Sequence, residues 1–302
     1  MMPQDTLPKV SIIMPTCNRA ALIVETIESI QRQTFTNWEL IIIDDGSEDN
    51  TAEIVNNVKD SRIQFYKEPK TGIGGRIKNV GLKKASGDLY AFIDSDDIWA
   101  PEKLQLQVDA LQQYQNARFC LTGGFNFYIP YEPVEFFYKE RSGVKVDNVF
   151  NDYFRSQLPA FTQALMLRKE CLALTGFFKE EKSFSDLDFI LTLAWHYTAV
   201  IVYQPLFYRR LHSNNYISNN TWAKSYAEAV DIINDYKTKK MVNASLAVQS
   251  LFNLYINFGE DCLTHNKRTK AIGCFFNAWK NKPLSFIPLK KIAKAFVKYF
   301  KQ

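Results

Sequence analysis

No acidic residue follows Asp261. From Cys262 to Gln302 the chain carries ten Lys or Arg and no Asp or Glu, so the net charge of +5 hides an acidic body: residues 1–261 hold 27 basic against 32 acidic side chains. A tail of that sign meets something anionic, a lipid surface or a nucleic acid. The body is acidic and shows no recognition motif, so no nucleic acid is expected as partner. Cysteine is scarce and unpatterned. Cys17, Cys120, Cys171, Cys262 and Cys274 are odd in number and contain no C-x-x-C pair, which fits a reducing compartment and offers no zinc-ligand spacing. Long apolar runs are missing too. Nothing approaches the ~20 residues of a membrane span, and the stretch Met1–Lys9 has no apolar core, so no signal peptide is expected. The expected setting is cytoplasmic. A G-x-G-x-x-G fingerprint is also absent: Gly72-Ile-Gly-Gly75 lacks the spacing and follows the third strand pattern, which excludes a dinucleotide oxidoreductase.

What is present begins with 46% hydrophobic residues, 23 Phe and 15 Tyr, enough for a substantial core. Val10–Met14, ended by Pro15, reads as a buried strand. Asn18 is placed to cap the following helix, in which Ile23, Ile27 and Ile30 recur at helical spacing. Glu39–Ile43 is a second strand, Thr51–Val58 a short helix, Arg62–Tyr66 a third strand. A helix opened by the 72–75 loop runs to Ala85, and Leu89–Ile93 is the fourth strand. This alternation predicts an α/β fold with a mainly parallel sheet and helices on both faces. A helix over Pro101–Tyr114 and a strand over Arg118–Thr122 follow. Residues 123–154 read as an irregular aromatic region, Phe161–Leu167 as a strand, Ser185–His196 as a helix, and Val200–Val202 and Leu206–Tyr208 as strand pieces.

Two acidic clusters fall after strands, at Asp44-Asp45 and at Asp94, Asp96 and Asp97. Three carboxylates at the exit of a buried strand repel one another unless a cation or hydrogen-bond donors offset them, and a hard divalent ion is the usual offset. The alternative is a solvated loop of helix-capping aspartates. In parallel sheets ligands bind beyond the carboxyl ends of the strands, where both clusters fall.

With the clusters placed, residues 8–215 resemble a family 2 inverting glycosyltransferase with the GT-A fold. The motifs, in order, are Val10–Asn18, Asp44-Asp-Gly-Ser47, Asn79-Val-Gly81 with Gly87-Asp88, Asp94-Ser-Asp-Asp97, and Ser185-Asp186 heading its helix. The resemblance implies a nucleotide-sugar donor, of the UDP-sugar kind, and a glycan or lipid-linked acceptor in surface polysaccharide or lipopolysaccharide synthesis. Asp45 then accepts from the base, since an ionised carboxylate is acceptor-only, and Asp44 is a structural partner in the turn; the alternative is that the two exchange roles. Pro15, Thr16 and Asn18 line the same pocket. Asp94 and Ser95 lie by the donor, and Asp96 holds Mn2+ or Mg2+ with the diphosphate, with His212 as a further ligand. Asp97 caps or orients. Asp186 is the catalytic base; the alternative is that Asp186 and Asp188 merely favour a helix N-terminus. Arg76 and Lys78 are both candidates for the diphosphate. Cys17 is assigned to packing rather than nucleophilic chemistry. A non-catalytic nucleotide-sugar-binding or scaffold protein on the same fold is the competing class.

Residues 1–220 are expected to form the catalytic domain, and residues 221–302 a helical region ending in a basic amphipathic helix. Over Pro288–Lys301 one face gathers Leu289, Ile292, Ala293, Phe296, Val297, Tyr299 and Phe300, the other Lys290, Lys291, Lys294, Lys298 and Lys301. Such a helix either lies in the inner-leaflet interface of a membrane, making the protein peripheral, or docks on its own domain with a solvated lysine face.

Overall fold

The computed structural model describes residues 7–138, 141–158, 160–181, 185–212, 222–264 and 266–297. It divides into two compact units, Met1–Val149 with Ala160–Asn215 and Phe150–Pro159 with Tyr216–Gln302.

The first unit is built on one mixed sheet. Its first half follows the alternation in the sequence: β1 (Val10–Thr16), α1 (Ile23–Gln31), β2 (Trp38–Asp45), α2 (Thr51–Asn56), β3 (Ile63–Glu68), α3 (Gly74–Lys84) and β4 (Leu89–Phe92). Strands β3, β2, β1 and β4 are neighbours in that order and all parallel. Because strand side chains alternate between faces, β2 explains both helix layers. Leu40 and Ile42 pack with Ile23, Ile27 and Ile30 of α1, while Ile41 and Ile43 pack with Ile77 of α3.

Strand β1 does not stop before Pro15, which pairs with Ile43. Ile13 O accepts from Ile93 N, so Pro15, two residues on, faces the same flank, and β4 has already ended there at Phe92. The missing N–H therefore costs no ladder bond. Asn18 does not cap α1, contrary to the sequence expectation. The helix starts at Ile23 after Leu22, with no side-chain cap. Asn18 instead has φ +51°, and its Oδ1 accepts from Glu48 N at 2.8 Å, tying the loop after β1 to the loop after β2.

The second half contains β5 (Ile98–Trp99), α4 (Lys103–Gln113), β6 (Phe119–Phe127), β7 (Pro133–Phe137) and β8 (Val144–Asp147). The region read as irregular thus holds most of β6 and two further strands. β7 is largely exposed and pairs only with β6, and β8 pairs with a strand some fifty residues later, so neither leaves a local apolar alternation. In the second unit comes α5 (Phe150–Phe154). Phe161–Leu167 is not one strand: a 3-10 turn over Thr162–Ala164 precedes β9 (Met166–Arg168), because Thr162 and Gln163 turn their side chains to buried charged groups. After a short α6 (Leu172–Thr175) come α7 (Ser185–His196) and β10 (Ala199–Arg210), one continuous strand with its irregularity around Pro205. β9 joins the halves by pairing antiparallel with both β4 and β6.

The second unit adds α8 (Trp222–Thr238), α9 (Ala244–Thr264), α10 (Arg268–Asn281) and α11 (Ile287–Val297). Phe258, Cys262, Ala271, Cys274 and Phe275 form its core, and Ile292 of α11 packs against it. The docked stripe of α11 is Pro288, Ile292 and Ala295, with Ala293 exposed, so it is rotated from the face expected. Leu284, Phe286, Ile287 and Leu289 stay exposed nearby, Leu284 at 94%. Lys298 to Gln302, and the side chains of Phe296 and Val297, lie outside the described residues. Among those residues, no helix is long and apolar enough to cross a membrane.

Candidate active site

Every sequence-derived site residue with a described side chain lies in the first unit, near the carboxyl ends of its parallel strands or on α3 and α7. At the end of β1 and β2, Asp44 is fully buried and spent on the turn, accepting from Ser47 N at 3.0 Å and from the Ser47 hydroxyl. Asp45 accepts from Thr71 N at 2.6 Å, Thr71 Oγ1 at 3.0 Å and Gly72 N at 2.7 Å. Those donors fold the 71–72 loop over the strand end, and lone pairs remain on the carboxylate for one more partner. Thr16, the register partner of Asp44 on β1, has its buried Oγ1 without a hydrogen-bond partner among the described residues, an orphaned group that a ligand would satisfy. Pro15 is half-buried. Cys17 donates toward Asp45 O at 3.4 Å, and burial together with Asp45 raises its pKa, which keeps it a thiol.

Beyond β4, oxygens of Asp94, Asp96 and Asp97 lie within 4.8 Å of one another. Burial raises the Asp94 pKa to about 6; Lys78 opposes the rise, and Asp96 and Asp186 reinforce it. Asp97 is likewise pushed well above the usual carboxylate range, by burial first and then by Asp96 and Asp94. Asp97 is also internally satisfied: Arg210 N donates to Oδ1 at 2.9 Å and Gln163 Nε2 to Oδ2 at 3.0 Å. Gln163 donates to Asp94 as well, so one amide holds two carboxylates. Asp96 Oδ2 accepts from Arg19 Nε at 3.2 Å and meets His212 Nε2 at 3.0 Å. The structure thus brings Asp96 and His212 together from 116 residues apart. A carboxylate, an imidazole and a second carboxylate form an oxygen-rich set with one nitrogen, suited to Mn2+ or Mg2+. Burial first, and then the neighbouring carboxylates, disfavour charge on Asp94 and Asp97, and a divalent cation among the three carboxylates would offset that repulsion. Asp96 and His212 would hold it, with Asp94 alongside. Ser95 is buried within the same turn.

The third part comes from α3 and α7. Gly81 lets α3 lie close on β1: a Cβ there would meet Ile13 Cγ2 at 2.6 Å. Gly75 lets the starts of α3 and α7 abut, since its Cβ would meet Ser185 Oγ at 2.7 Å. Asn79 fastens the approach to α7, donating to Phe178 O at 2.8 Å and accepting from Phe178 N at 2.9 Å. These contacts account for the Asn79-Val-Gly81 pattern. They deliver Lys78 to Asp186, with Nζ 2.7 and 2.8 Å from the two carboxylate oxygens. Lys78 is therefore engaged with Asp186, and Arg76 is exposed on the same helix. Asp188 faces the other way, buried and paired with Lys179 at 2.9 Å.

Several participants escaped sequence reasoning. Gln163, Thr162, Arg19, and the Arg210–Glu25 pair that backs the acidic turn have ordinary sequence contexts, and only the fold aims them. The turn between β6 and β7 exposes Tyr128, Ile129 and Tyr131 just past the strand end, where Leu211 N binds Phe127 O next to His212.

The fold is that of GT-A glycosyltransferases. S. aureus TarS, residues 1–349, superposes with a TM-score of 0.65 at 18% identity, covering 91% of this chain and 81% of that one. The mannosyltransferase PcManGT of Pyrobaculum calidifontis, solved with GDP-Man and Mn2+, gives 0.60 at 16% identity, over 99% of this chain and 83% of the other. Residues 11–171, over half the chain, match the model of glycosyl transferase family 2, and the chain belongs to that family. Among curated relatives, the Escherichia coli protein WfgD, a UDP-Glc:alpha-D-GlcNAc-diphosphoundecaprenol beta-1,3-glucosyltransferase, is 43% identical over 102 residues, 34% of this chain and 40% of the relative. The GalNAc(5)-diNAcBac-PP-undecaprenol beta-1,3-glucosyltransferase of Campylobacter jejuni is 43% identical over 95 residues, 30% of each. The chain spans less than half the length of these two relatives.

Proposed function

We propose that this protein is an inverting, metal-dependent glycosyltransferase that moves a sugar from a UDP-sugar to a polyprenyl-diphosphate-linked glycan in surface-polysaccharide assembly. The observation that carries the reading is a partly exposed carboxylate, Asp186, near enough to the acidic cluster to act on Asp94. The relatives named for UDP-Glc and for undecaprenol-linked acceptors support the substrate classes. In this reading the first unit is the catalytic domain. Asp45 receives the base, Thr16, whose hydroxyl has no partner among the described residues, lies at the lip of that pocket, and Asp94 and Ser95 lie against the donor. Asp186 takes the proton of the acceptor hydroxyl as its oxygen attacks the anomeric carbon, the carbon–oxygen bond to the diphosphate breaking on the opposite face. A bound Mn2+ or Mg2+ supplies Lewis-acid stabilisation of the leaving diphosphate. The exposed Tyr128, Ile129 and Tyr131 flank the acceptor side, an apolar rim suited to a sugar face or a prenyl chain.

Asp96→Asn is expected to abolish the Mn2+-dependent part of UDP-sugar binding. A titration with and without Mn2+ reads this directly; undiminished Mn2+ dependence in the variant would remove Asp96 from the metal site.

We further propose a peripheral position on the cytoplasmic leaflet through the second unit. Exposed Phe286, Ile287 and Leu289 stand beside exposed Lys290 and Lys294, in a tail without acids, and the free cysteines agree with a reducing compartment. Each lysine near an anionic surface contributes about 1 kcal/mol. Lys290→Gln with Lys294→Gln should therefore weaken binding to phosphatidylserine vesicles roughly thirtyfold, with UDP binding intact. Equal sedimentation of variant and parent would sink the idea.

A further inference from the structure

Lys78 is almost fully buried, yet its ammonium is spent on the group assigned as base. Nζ lies 2.7 and 2.8 Å from the two oxygens of Asp186 and 3.3 Å from Thr162 Oγ1. The three contacts match the three donors of an ammonium. The lysine side chain is 6% exposed and that of Asp186 29%, so the pair sits at the cleft wall with Asp186 outermost. An incoming acceptor hydroxyl must compete with Lys78 for the same carboxylate lone pairs. The same ammonium also acts on the acidic cluster: its charge opposes the effect of burial on Asp94. Its third contact, Thr162, immediately precedes Gln163, whose amide holds Asp94 and Asp97, so the ammonium borders both the base and the cluster where the donor's phosphates are read to lie. A lysine is a point charge on a flexible four-carbon stem and can change partners while its helix stays fixed.

We propose that Lys78 is a cation shared between Asp186 and the diphosphate of the donor, so that donor binding draws Lys78 off Asp186 and frees the carboxylate for the acceptor. This rests on the glycosyl-transfer reading above. In the donor-free enzyme Asp186 is held and screened. With the donor in place Lys78 neutralises phosphate charge, and Asp186 is open to the acceptor hydroxyl. The order of events follows: donor first, acceptor second. Because coupling is reciprocal, weakening one partner strengthens the other. Arg76, exposed on α3, has no such ion pair among the described residues.

The test is a double-mutant cycle on UDP affinity, by calorimetry in Mn2+, on the full chain. Asp186→Asn should tighten UDP binding about tenfold, because Lys78 no longer has to leave a carboxylate. Lys78→Met should weaken it, and adding Asp186→Asn to Lys78→Met should change nothing further. Should Lys78→Met fail to fold, Lys78→Gln supplies the same arm with a neutral side chain. Equal affinity of the parent and Asp186→Asn overturns the shared-cation proposal and leaves the transferase reading standing. Tightening that persists without Lys78 also overturns it, since removal of a nearby negative charge would then suffice. A parent protein that binds no UDP overturns both.

Discussion

Asp186→Asn is expected to lower sugar transfer by about a hundred- to ten-thousandfold, the usual range for a positioned general base, while UDP-sugar binding is kept or tightened. Asparagine preserves shape and one acceptor oxygen but cannot take a proton. The comparison that gives the result its meaning is Asp188→Asn. Both aspartates sit in the first turn of α7, where a helix N-terminus favours them equally. Asp188 is buried on Lys179, whereas Asp186 keeps 29% of its side chain open to the cleft. Asp188→Asn should cost stability by stranding Lys179 and leave transfer within a few-fold. Single-turnover assays at saturating donor, with melting curves for both variants, separate the outcomes. Asp186→Asn that still transfers, or Asp188→Asn as the inactive variant, would refute the assignment. A scaffold that binds nucleotide sugar without catalysis would show no transfer in the parent either.

Lys103→Met is expected to stabilise the protein near neutral pH and to do so less, or not at all, near pH 10. Lys103 is fully buried at the first position of α4, with no carboxylate partner among the described residues; it meets Gln107 Oε1 at 2.6 Å and the Trp99 ring at 4.0 Å. Burial lowers its pKa from 10.5 to about 7, and a helix N-terminus disfavours a cation there as well. The sign follows from linkage: between about 7 and 10.5 the unfolded chain binds the proton and the folded one does not, so stability rises with pH across that window. The penalty is full below about pH 7 and corresponds to roughly 5 kcal/mol, an upper figure. Methionine keeps the apolar stem, but it leaves Gln107 Oε1 without its donor, at about 1–2 kcal/mol. The net expectation is a gain of about 2–4 kcal/mol at pH 7 and a small loss at pH 10. Chemical denaturation at the two pH values checks this; an equal effect at both would mean that the lysine is neutral or solvated in the folded state.

How much of this was legible in the sequence depends on the range of the interaction that decides each feature. The strands β1, β2 and β4 are buried on both faces and announce themselves as apolar runs. Asp45, Asp94 and Asp96 follow directly at their carboxyl ends, so the acidic residues of the proposed donor side stand out locally. Asp186 was legible as the head of a helix, but its distinction from Asp188 was not, since the two share composition and position and differ only in what faces them. Strand β7 was invisible because it is largely exposed, and β8 because its partner β10 lies some fifty residues later. Gln163 lay inside a run that read as strand, and its role depends on two carboxylates more than sixty residues away.

The sequence by itself determined the family, the parallel half of the sheet and the identity of the acidic residues, because each is encoded by neighbouring positions and by the period of a strand or helix. Tertiary structure alone decided which aspartate is open, that Asp96 meets His212, and that Lys78 lies on Asp186 rather than free in the cleft. Those are pairings between elements brought together by close crossings such as Gly75 on Ser185 and Gly81 on Ile13. Charge–charge contacts act over a few ångströms in space, and no spacing along the chain records them.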